Sequence, residues 1–144
     1  MGNPISLKLG GVVCARCHRE IAHDQAGKFV VRRLKNGYEM VLPRSILCVE
    51  ATSKGLQYTL DDGDSWFEYG SLVSFMAISD GAFVQISRDT AVRINAVVAV
   101  QRLPDSAYWV HQVRLVNGDT KNVSRRRWLS VQRRLGTAMI RGKK

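Results

Sequence analysis

What this 144-residue chain lacks narrows its function before anything it contains does. No stretch approaches the roughly 20 apolar residues that a membrane-spanning helix needs. The first residues hold no apolar segment of secretory type, so the expected location is the cytoplasm. No glycine-rich phosphate loop occurs, and His111 alternates along an apolar run with no nucleophile beside it. Asp61, Asp62 and Asp64 crowd one short stretch, where a turn role accounts for them. No catalytic constellation is left, and an enzyme is not expected. Internal repeats and low-complexity linkers are also missing. The length leaves no room for a receiver domain of normal size, so regulation is expected through an unknown partner or an N-terminal arm. At 45% hydrophobic and 24% charged, the composition still supports one buried core.

Acidic residues are scarce in one place above all. Residues 27–113 balance nine basic against nine acidic side chains, whereas residues 114–144 carry ten basic ones against Asp119 alone. The net charge of +10 is therefore polarised, as expected of a face that meets a polyanion.

Strand-like segments dominate from Lys28 onward. Phe29–Leu34 and Tyr38–Leu42 flank Asn36-Gly37, a pair that accepts positive φ and marks a hairpin. Ile46-Leu47-Cys48-Val49 is a short continuous apolar run that predicts a buried strand, with Cys48 as a small core residue. Leu56–Leu60 and Ser65–Tyr69 form a second hairpin whose acidic tip should point away from nucleic acid. Ser71 caps a short helix over about 71–78, in which Leu72, Phe75 and Met76 share a face. Phe83–Ile86 and Ala91–Val100 return to strand composition, and Val110–Val116 meets Asn117-Gly118 in a third hairpin. A last helix is predicted over about 124–135, stopped by Gly136, with Trp128, Val131 and Leu135 on its buried side.

Ser124 is a good cap, yet Arg125, Arg126 and Arg127 follow it. Three cations in a first turn oppose the helix macrodipole and repel one another. A phosphate would resolve that conflict, because helix N-terminal N–H groups and guanidinium forks both favour an anion. The same surface invites Arg133 and Lys121 onto phosphates, while Arg88 and Lys54 occupy polar loops after apolar strands.

Four segments, in order, carry a family resemblance: Ile46–Ala51, Phe83–Ile94, Leu115–Gly118 and Val123–Arg126. Over about residues 27–136 they resemble the LytTR (LytR/AlgR-like) DNA-binding domain. The resemblance implies a mostly β assembly of small antiparallel sheets built from hairpins, with one or two short helices. It also implies loops that enter successive major grooves of double-stranded DNA at direct repeats, with a dimer on DNA. On that basis Lys54, Ser87, Arg88, Lys121, Arg125, Arg126, Arg127 and Arg133 are the expected DNA-binding residues of a bacterial transcription regulator. Ser87 stands where the family often has histidine, and Arg93 where it often has asparagine. The alternatives are a small basic β domain that binds structured RNA, or a protein or membrane adaptor anchored by Trp66, Trp109 and Trp128. The apolar side of the last helix is needed for packing, which argues against the membrane.

Residues 1–26 form an arm with a separate pattern, and residues 137–144 a basic tail. Cys14, Cys17, His18 and His23 have the residue types of a zinc site but lie cramped within ten residues. A redox pair and an ordinary arm are the competing readings, and no cofactor is otherwise expected.

Overall fold

The computed structural model describes residues 29–102 and 109–142, so the Cys14, Cys17, His18 and His23 cluster lies outside the described residues. Strand β1 (Val30–Leu34) pairs with β2 (Gly37–Val41) in the first hairpin. Leu34 opposes Gly37, so the turn is Lys35-Asn36, one residue earlier than the Asn-Gly signal indicates. Gly37 opens β2 without a left-handed φ. This register opposes Val30 to Val41, both buried, and burial outranks turn preference in fixing it.

The centre is a five-stranded antiparallel sheet in the order β5–β4–β3–β7–β6. Its strands are β3 (Ile46–Thr52), β4 (Gly55–Leu60), β5 (Ser65–Glu68), β6 (Phe83–Ser87) and β7 (Thr90–Arg93). An irregularity between Ile46 and Cys48 breaks the alternation of β3. Ile46 and Val49 therefore join the core on one face, and Leu47 and Cys48 the core on the other. That is why this strand reads as a continuous apolar run.

The first face is covered by the β1–β2 hairpin and helix α1 (Leu72–Ile78), which starts where Ser71 Oγ accepts from the Ser74 N–H at 3.1 Å. Tyr58 stacks on Trp66 at 5.0 Å between ring centres, and Phe75 meets Phe83 edge-on at 4.8 Å. The second face packs against a three-stranded sheet, β8 (Val97–Arg102), β9 (Trp109–Leu115) and β10 (Thr120–Ser124), and against helix α2 (Arg125–Gly142). Val131 and Leu135 enter this core. Trp128 is half-buried beside it and stacks on His111 at 3.7 Å, with the rings 8° from parallel. Desolvation, then the charge of Arg102, pushes the His111 imidazole below its ordinary range.

Helix α2 does not stop at Gly136. It continues to Gly142, so residues 137–142 of the expected tail are helical backbone. Gly136 lacks the left-handed φ by which a glycine ends a helix, and mid-helix it only weakens it.

The acidic turn after β4 serves the fold's own arginines. Asp64 takes Arg32 at 2.7 Å, whose guanidinium also lies 5.1 Å over Trp66, and Asp61 takes the buried Arg93 at 3.0 Å.

Burial pushes the Cys48 thiol up from 9.0 to about 12 and the Tyr58 phenol up from 10.0 to about 12. An acid whose folded pKa is raised contributes stability that is complete below its unfolded pKa and lost as pH climbs through the folded one. Denaturant midpoints should therefore fall between about pH 9 and 12. At pH 8 the native Cys48 thiol should resist alkylation, which peptide mapping can read; labelling as fast as in the unfolded chain would contradict this burial.

Candidate nucleic-acid interface

Two polar turns lie side by side at one end of the central sheet. The first, Ser53-Lys54, joins β3 to β4. Thr52 Oγ1 accepts from the Lys54 N–H at 3.1 Å and donates to the Gly55 carbonyl at 2.9 Å. Gly55 closes it at φ +129°, where a Cβ would sit 2.5 Å from the Glu68 carbonyl oxygen, so no other residue fits. Lys54 is exposed at its tip.

The second turn, Arg88-Asp89, joins β6 to β7. Strand β7 runs antiparallel to β3 with Thr90 opposite Glu50, and the Ala51 N–H donates to the Asp89 carbonyl at 2.7 Å. Arg88 is exposed, whereas Ser87 is buried and its hydroxyl donates to Asp89 Oδ1 at 3.0 Å. The Asp89 carboxylate thus holds Ser87 and Thr90, and forms no ion pair with Arg88 among the described residues.

The third segment is the start of α2. Strand β10 ends at Ser124 and the helix begins at Arg125. Arg134 Nη2 donates to the carbonyls of Gly81 at 2.8 Å and Phe83 at 3.2 Å, anchoring the helix beside the start of β6. Nine residues of helix before Arg134 span about 13 Å, and β6 from Phe83 to Ser87 spans about the same. The stretch of α2 from Arg125 to the Arg134 anchor is therefore about as long as β6.

Several cations are engaged inside the fold. Arg32 and Arg33 face carboxylates at 2.7 and 3.6 Å, Arg93 faces Asp61, and Arg134 holds backbone carbonyls. Lys121 lies 3.2 Å from Glu50 Oε2. Burial works against the Lys121 charge, but Cys48, Glu50 and Asp119 outweigh it and raise its pKa. By contrast, Lys54, Arg88, Arg125, Arg126, Arg127 and Arg133 make no ion pair among the described residues. Their charge is open to an external anion.

The sequence profile of the LytTr DNA-binding domain matches residues 36–136. This chain belongs to the LytTR family. Its mostly β assembly of small antiparallel sheets with two helices is the LytTR fold. Among solved structures it is similar to the LytTr DNA-binding domain of a Bacillus cereus protein described as a methyl-accepting/DNA response regulator. The TM-score is 0.63 at 20% identity, over 75% of this chain and 96% of that one, a likeness of fold. No curated protein matches it. Among the described residues no helix is long and apolar enough to cross a membrane.

Sequence reasoning missed Thr52 and Gln85, which hold this LytTR domain's turns, and Glu50, which holds Lys121. Thr52 precedes a recognisable Ser-Lys-Gly turn and was within reach. Gln85 reaches the nearby Ser87 and Arg88 carbonyls only because β6 is bulged before its turn, and Glu50 meets Lys121 only through packing of segments 71 residues apart.

Proposed function

We propose that this LytTR domain is a sequence-specific, duplex-DNA-binding transcription regulator that acts in the cytoplasm. The observation that carries the reading is a group of cations with no ion pair among the described residues on the β3–β4 turn, the β6–β7 turn and α2; Lys35, Arg44, Arg102 and Arg114 also lack an ion pair but stand on other elements. Arg88, Arg125 and Lys54 act near base edges in the major groove, and Arg126, Arg127 and Arg133 on phosphates. Lys121 and Ser87 support the site from within, one bound to Glu50 and the other to Asp89. Successive grooves read at direct repeats, with two copies on the DNA, follow from the family resemblance and belong to the same proposal.

The aromatic side chains favour duplex DNA over unpaired RNA. Trp66 and Tyr58 are buried, and Trp128 is covered by His111. Among the described side chains, the exposed large aromatics Tyr38, Phe67 and Tyr69 belong to the β1–β2 hairpin and to β5 with the residue after it, at the sheet edge opposite β6. Stacking on splayed bases would call for aromatics beside the arginines.

Binding to a duplex selected from a random pool should weaken steeply with salt. For about five to eight phosphates neutralised, the log–log slope is expected at roughly −4 to −7. A slope near zero, or tighter binding to single-stranded RNA than to any duplex, would overturn the proposal.

A further inference from the structure

Gln85 belongs to no set of residues expected to touch DNA, yet it is half-buried on β6 three residues before Arg88. Its Nε2 donates to the carbonyl of Ser87 at 3.0 Å and to that of Arg88 at 3.0 Å. A carboxamide has two N–H donors, and here both are used on consecutive carbonyls of one turn. The need for them arises from the sheet. The register between β6 and β7 shifts between Gln85 and Ser87: Gln85 opposes Ala91, but Ser87 opposes Thr90, which leaves Ile86 as an extra residue. Such a bulge interrupts the ladder and re-aims the chain beyond it.

The other side of the turn is held as well. Asp89 Oδ1 accepts from the hydroxyls of Ser87 at 3.0 Å and Thr90 at 3.3 Å, and the Asp89 carbonyl accepts from Ala51. Three consecutive carbonyls, of Ser87, Arg88 and Asp89, thus have fixed partners. Meanwhile the exposed Arg88 side chain makes no ion pair among the described residues. The backbone is ordered before binding and the guanidinium is left available.

We propose that Gln85 is a positioning residue for Arg88: its carboxamide fixes the bulged β6–β7 turn so that the guanidinium is presented in one direction. This rests on the reading of Arg88 as a base-contacting residue. Ordering a loop before it binds removes a cost otherwise met in the complex. A guanidinium must also meet a guanine edge in bidentate geometry to discriminate it. A phosphate contact tolerates a looser turn, so loss of Gln85 should act on site preference more than on binding as such.

The test uses Gln85→Met, which keeps the shape and removes both donors, and Gln85→Ala as a second variant. Each is combined with Arg88→Ala and measured on a selected duplex and a scrambled one. Arg88→Ala should lower preference for the selected site about tenfold or more. Gln85→Met and Gln85→Ala should lower it about three- to tenfold, with scrambled binding changed less than about twofold. On the Arg88→Ala background either change should then add less than about twofold, because the two side chains act as a unit. Melting temperatures should stay within about 4 °C of the parent, as befits a half-exposed polar side chain. If Arg88→Ala acts and the Gln85 variants do not, or if the effects multiply, the positioning role is wrong and the Arg88 reading stands. Variants that lose melting temperature while keeping preference overturn it too. If Arg88→Ala leaves preference unchanged, the base-contact reading fails, and the positioning role with it.

Discussion

Arg93→Ala is expected to destabilise the domain more than any other single change of an arginine, by about 3–5 kcal/mol. The Arg93 side chain is only 10% exposed, and every nitrogen on it has a partner. Its Nη1 donates to the carbonyls of Arg44 at 2.6 Å and Ile46 at 3.1 Å, its Nε to Asn95 Oδ1 at 2.6 Å, and its Nη2 reaches Asp61. Removal would strand two carbonyls at the start of the buried central strand, each costing on the order of 1–3 kcal/mol. It would also release the acidic turn that follows β4. Domains of this size hold only about 5–15 kcal/mol in total, so a fall in melting temperature of at least about 10 °C is expected. Arg93→Lys should recover only part of it, since one ammonium cannot span four acceptors on different elements. The Asp61 carboxylate is about half exposed, and Asp61→Asn should cost far less. Thermal unfolding of the three variants decides it, and an Arg93→Ala protein that melts within a few degrees of the parent would refute the clamp.

Changing Arg125, Arg126 and Arg127 together to alanine should have opposite signs on DNA binding and on folding. If Arg126 and Arg127 each neutralise one phosphate, the salt slope should become shallower by about 2. At about 0.1 M salt that corresponds to a loss of about two orders of magnitude in affinity for any duplex, and loss of Arg125 should add to it on the selected site. The same change removes three cations that oppose the macrodipole in the first turn of α2, each worth some tenths of a kcal/mol, and installs the best helix former. Stability should therefore hold or rise slightly. Arg134→Ala is the contrasting case: it breaks the helix anchor on the Gly81 and Phe83 carbonyls, so it should lower stability and leave the salt slope nearly unchanged. Salt titration of binding and thermal melting of both variants give the comparison. A triple variant that loses stability but binds DNA normally would mean the arginines serve the fold.

The sequence by itself determined the elements and the class of partner. Turn residues between alternating apolar runs marked the hairpins, Ser71 and Ser124 marked the two helix starts, and the continuous run at Ile46–Val49 marked the central strand. These signals are local, because period and turn chemistry act within a few residues. The location of the basic excess was legible for the same reason. The tertiary structure alone decided the Lys35-Asn36 turn, through the burial of Val30 against Val41. It also decided the continuation of α2 through Gly136, which no capping signal announces. Above all, only the fold decided which cations are free. Arg93, Arg134 and Lys121 look no different in sequence from Arg88 and Arg133, but the carboxylates and backbone carbonyls that hold them lie 32 to 71 residues away in the chain. Charge can be counted from a sequence, whereas its neutralisation depends on which distant carboxylates and carbonyls the packing brings within about 3 Å.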